Sequence, residues 1–115
     1  MEQINFSENL NNKLNCNCFT TVRLKNNRKY IVGETYEIIY GKYNFTADIV
    51  HIRHFLLKDV DNWISLIDTG LLTSQFTKVV ENMYPNINFK LQQLSIILLR
   101  RKKLVKNVLD LTLNL

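Results

Sequence analysis

Residues 18–24 read Cys18-Phe19-Thr20-Thr21-Val22-Arg23-Leu24. The aromatic and β-branched residues favour a strand. By the two-residue period of a strand, Thr21 and Arg23 share one face and Thr20 and Val22 share the other. A hydroxyl beside a guanidinium makes a donor-rich patch suited to a carboxylate, a phosphate or a base edge. Taken alone, the same stretch also reads as a threonine-rich strand with a solvated arginine.

Working outward, residues 7–15 place Leu10 and Leu14 four apart behind Ser7, a helix start, which predicts a short helix. After the Asn26-Asn27 turn signal, Tyr30-Ile31-Val32 leads into Gly33-Glu34, and TYEIIY at 35–40 reads as a strand ended by Gly41. A longer strand is expected over 44–55. There Ala47, Ile49, His51 and Arg53 share one face, and the mixed polarity beyond His51 predicts departure from the core. From residue 56 the spacing changes to three and four. Leu57, Val60, Ile64 and Ile67 predict a helix capped by Asp59 or Asp61, with Gly70 at its end. Leu72, Phe76, Val79, Val80 and Met83 predict a second helix, ended by Pro85. Residues 89–99 read as a last strand, buried on both faces. The order predicts an α+β domain: a small, mostly antiparallel sheet curled into a barrel, with helices packed at one end.

Composition bounds the function. The 115 residues are 46% hydrophobic and 10% aromatic, which argues for one packed core and against disorder. No apolar run approaches the roughly 18 residues of a membrane span, and the polar start lacks the apolar core of a secretory signal. Cys16 and Cys18 are too close along an extended chain to favour a disulfide, so reduced thiols in a cytoplasm are expected. The charge is uneven. Residues 1–99 hold ten Lys/Arg and nine Asp/Glu, whereas 100–115 hold five Lys/Arg and one acid, a local net charge of +4. The chain thus divides into a domain over 1–99 and a basic, leucine-rich extension over 100–115. The extension is suited either to phosphates through Arg100 and Arg101 or to a protein partner through its leucines.

No glycine-rich phosphate loop, HExxH or CxxC pair is present, and Cys16, Cys18, His51 and His54 lie on different elements, so neither metal nor cofactor is expected. Tyr30, Tyr36, Tyr40 and Tyr43 interleave with Lys25, Arg28, Lys29 and Lys42. This pattern suits single-stranded nucleic acid and also an exposed hairpin. Trp63, beside Ile64, is expected to pack in the core or between helices, with base stacking as a secondary role.

The threonines and Arg23 are followed by Tyr30-x-Val32-Gly33-Glu34-x-Tyr36, a strand, and two helices around Gly70. The second helix ends at Met83-Tyr84-Pro85, and an aliphatic strand follows. This order resembles the ASCH domain family, PUA-like barrels related to RNA-binding modules, as found in small bacterial or phage proteins. The resemblance spans about Ile4 to Leu99. The family's Gly-x-Lys-x-x-Thr-x-Arg stretch falls with Thr and Arg on Thr21 and Arg23, Gly on Cys16 and Lys on Cys18. Its acidic position falls on Asp68 or Thr69. The resemblance implies an RNA- or nucleoside-binding module, read here as non-catalytic. Ligand contacts are expected from Thr20, Arg23, Lys25, Lys29, Tyr30, Arg53, Arg100 and Arg101. The alternative it implies is a hydrolase, either an amidohydrolase on N4-acetylcytidine-type nucleosides or a ribonuclease. Thr21, Asp68 and Cys18 would then be catalytic, although Cys18 is read first as a small buried thiol. A second alternative is a partner-binding protein of a phage or mobile element.

Overall fold

A computed structural model of the chain describes residues 1–102. The leucine-rich part of the extension, from residue 103 on, lies outside them. The fold is α+β, with one mixed sheet of five strands. These are β1 (Gln3–Phe6), β2 (Cys18–Leu24), β3 (Thr35–Tyr40), β4 (Tyr43–Phe55) and β5 (Leu94–Arg101), in the order β1-β3-β4-β5-β2. The β1–β3 pairing is parallel and the other three are antiparallel.

β1 and β2 end the strand order, yet their side chains meet. The rings of Phe6 and Phe19 pack edge to face with centroids 6.1 Å apart. Arg23 of β2 donates to the Asn5 carbonyl of β1 at 2.7 Å. The sheet is therefore curled into a half-barrel. Its concave face holds a core of Ile4, Phe6, Phe19, Tyr36, Ile38, Ala47, Ile49, Ile97 and Leu99, joined by Leu14. On the opposite face Leu57, Phe76, Val80 and Leu94 form a second cluster beneath the helices α1 (Asn62–Thr69) and α2 (Thr73–Met83). One buried cluster on each face explains why β5 reads apolar almost throughout.

Two sequence expectations change. Residues 10–15 form a 3-10 helix, because Asn11 and Asn12 adopt left-handed backbone angles (φ 60° and 52°) that interrupt an α-helix. Short polar Asn side chains tolerate that region best. β4 leaves the buried core after Ile49 as expected, with His51, Arg53 and His54 exposed, but it stays in the sheet. A bulge between Ile49 and His51 shifts the register, and pairing with β5 continues to Phe55 opposite Leu94. The extra residue re-aims the distal half of the strand without ending it. The first helix does not begin at 56. A short 3-10 turn, Leu57–Asp59, precedes α1. Asp61 caps α1 by accepting from the Ile64 N–H at 3.1 Å.

Gly70 ends α1 in the left-handed region (φ 75°), and a Cβ there would lie 3.3 Å from the Asn11 side chain. This close approach seats the end of α1 on the 3-10 helix. It brings residues 13 and 68, distant in sequence, into contact.

Candidate functional site

Lys13 projects from the 3-10 helix into the protein, with 8% of its surface exposed, and meets Asp68 of α1, 4% exposed. Its ammonium donates to Asp68 Oδ1 at 2.9 Å and to the Asp68 carbonyl at 2.8 Å. Oδ1 also accepts from the Thr20 hydroxyl at 2.9 Å. Burial pulls the Lys13 ammonium below its ordinary pKa; the Asp68 carboxylate and its hydrogen bond oppose the shift, and the Arg23 charge adds to it. An ammonium has three donors. Two are committed to Asp68, which leaves one for a ligand or water.

Beside this pair lies a cavity of about 190 Å³, lined by Phe6, Lys13, Thr21, Val22, Arg23, Asp68 and Phe76 among others. Three consecutive β2 residues line it, so it runs along the strand edge that has no strand partner. Its volume falls below the roughly 300–1,000 Å³ of pockets for drug-sized ligands, which limits it to about one ring. Phe6 supplies an apolar wall, over which the Arg23 guanidinium stacks at 4.8 Å from the centroid. Arg23 Nε donates to Thr21 Oγ1 at 2.9 Å. Thr21, 3% exposed, therefore accepts from Arg23 and keeps its own proton to donate. The cavity presents an ammonium, a guanidinium, a carboxylate and a hydroxyl around one apolar wall.

Of the residues singled out in the sequence, Thr21, Arg23 and Asp68 converge here, and Thr20 joins through Asp68. Asp68 and Thr69 both line the cavity; Asp68 holds Lys13, whereas the Thr69 hydroxyl donates to the Ser65 carbonyl at 2.8 Å. Cys18 is exposed and outside the cavity lining, not a buried thiol, because it begins β2 at the surface opposite Arg100. Lys25 bonds Gln93 Oε1 at 3.0 Å, and Lys29 sits over the Tyr30 ring, which packs on the core. Burial pushes the Tyr30 phenol up. Arg100 is exposed at the end of β5. Arg101 donates to the Leu14 carbonyl and lies 3.7 Å from the Phe45 centroid, so it anchors the 3-10 helix. Arg53 lines a separate groove on the other face of the sheet, with Trp63.

Lys13 is the site residue that the sequence reading missed. Lys13 comes from the 3-10 helix, an element in which no site residue was expected. A signal was present: Lys13 falls between Leu10 and Leu14 on the apolar spacing, a charge where an apolar side chain belongs.

The chain matches no model of a known protein family, no curated protein and no solved structure.

Proposed function

We propose that the cavity binds a nucleobase or nucleoside, and that the domain is an RNA- or nucleoside-binding module of the ASCH-like, PUA-related kind. The observation that carries this reading is the buried Lys13–Asp68 pair, set beside Thr21 and Arg23 on the wall of a cavity sized for one ring. A planar heterocycle with exocyclic donors and acceptors satisfies such a mixed set of groups. Phe6 gives it an apolar surface. Cations on the adjoining elements attract phosphates, so RNA affinity should fall steeply with salt. Binding of labelled single-stranded RNA at several salt concentrations tests it. Arg23→Ala is expected to weaken binding more than Lys58→Ala, a change outside the cavity. Absent or salt-insensitive binding rejects the RNA reading.

Lys13 favours a second reading, hydrolysis of an acylated nucleoside such as N4-acetylcytidine. Burial lowers the Lys13 pKa and so enlarges the fraction present as the neutral amine, the form able to take a proton, and Thr21 retains a hydroxyl proton to give. In this reading Thr21 Oγ attacks the acyl carbon, Lys13 takes the proton and returns it to the departing amine, and water releases the acyl group. Asp68 holds Lys13 in place. Release of cytidine from N4-acetylcytidine, abolished by Thr21→Val and by Lys13→Met, supports this reading. No turnover removes it and leaves binding intact. The partner-binding alternative rests on leucines outside the described residues.

A further inference from the structure

On the outer face of the sheet, an open groove of about 650 Å³ lies between α1 and the strands β4 and β5. Thr20, Arg53, Trp63, Ile67 and Leu98 line it. The Trp63 ring stands at its margin, 77% exposed, and Ile67 is 51% exposed. Trp63 and Ile67 thus expose apolar surface within one groove, the kind of contiguous patch that marks an interaction site. Arg53 is exposed and makes no ion pair among the described residues. The groove's one carboxylate, Asp61, is occupied in capping α1. The groove therefore sets an exposed aromatic ring beside one arginine without an ion pair, with its single carboxylate turned to the helix cap. The same helix serves both sites, since Asp68 faces the cavity while Trp63 and Ile67 line the groove. Thr20 touches both, lining the groove while its hydroxyl bonds Asp68 at 2.9 Å.

We infer that this groove is a second nucleic-acid subsite: a base of single-stranded RNA stacks on Trp63 while Arg53 holds a neighbouring phosphate. This rests on the reading of the cavity as a base site, the two sites meeting at the Thr20–Asp68 hydrogen bond. The groove exceeds the cavity more than threefold in volume, enough for more than one ring. An acidic peptide would satisfy Arg53, but it offers no planar ring for Trp63.

The chain has one tryptophan, so its emission reports on this site alone. The full chain is titrated with single-stranded oligouridylate, with polyglutamate and with free cytidine, and labelled RNA is followed by anisotropy for the variants. Quenching of Trp63 emission by oligouridylate is expected. Trp63→Ala and Arg53→Ala should each lower RNA affinity, by roughly tenfold for the lost stacking contact. Unchanged affinity in both groove variants, with loss in Arg23→Ala, overturns the groove and keeps the cavity. Quenching by polyglutamate and not by RNA also overturns it, in favour of an acidic protein partner. Absence of binding by cytidine and RNA alike removes the cavity reading itself. Unfolding curves of Trp63→Ala and Arg53→Ala that match the parent exclude misfolding as the cause of a loss.

Discussion

Lys13 Nζ and Asp68 Oδ1, fifty-five residues apart in sequence, lie 2.9 Å apart, with side-chain exposures of 10% and 6%. Removing one partner of a buried pair strands the other charge, at a cost of about 3–5 kcal/mol. Asp68→Asn is expected to lose stability on that scale in urea denaturation. Part of the loss is relieved when Lys13 gives up its proton. The double variant Lys13→Met/Asp68→Leu should recover at least half, because an apolar pair leaves no unpaired charge. No recovery would mean that the pair matters for shape and not for charge.

The lysine also links stability to pH. Its folded pKa is below the ordinary 10.5, chiefly through burial. Between the lowered value and 10.5 the unfolded chain binds more protons than the folded one, so stability should rise as pH increases through that window. The slope is read by comparing unfolding of the parent and Lys13→Met across alkaline pH. The variant is expected to lack this contribution, and identical slopes would contradict the assignment.

Tyr36 predicts a different loss. Its hydroxyl donates to the Lys29 carbonyl at 2.7 Å and accepts from the Ile31 N–H at 2.8 Å, pinning the loop before β3 to the core. Tyr36→Phe keeps the buried ring and removes both bonds. The expected cost is about 1–3 kcal/mol, with faster amide exchange at Ile31.

Gly70 and Gly33 separate backbone strain from crowding. Both have positive φ, 75° and 90°, where a side chain costs about 1–2 kcal/mol. A Cβ at Gly33 meets nothing within 4 Å, whereas at Gly70 it presses on Asn11. Gly33→Ala should therefore lose stability alone. Gly70→Ala should lose more, and also weaken ligand binding by shifting Asp68 away from Lys13.

The sequence made part of this legible. The bounds of β2 and β3 match their alternation, and the ends of α1 follow from Asp61 and Gly70, because these are local rules. β1 left no periodic mark: four residues gain strand structure only by pairing with β3, more than thirty positions later. Thr21, Arg23 and Asp68, singled out in the sequence, line one cavity. Lys13 leaves one mark, a charge on the apolar spacing of Leu10 and Leu14, but its inward direction depends on two left-handed asparagines that no linear pattern reports. Trp63 was expected inside, but only the packed helices show that its side of α1 faces water.

The most direct test of the central claim is a two-dimensional amide NMR titration of the full chain with free cytidine and N4-acetylcytidine. Saturable shifts should centre on Thr21, Val22, Arg23 and Asp68, and be lost in Lys13→Met. Shifts absent at millimolar nucleoside, or confined to residues away from the β2 edge, would contradict a base-binding cavity there.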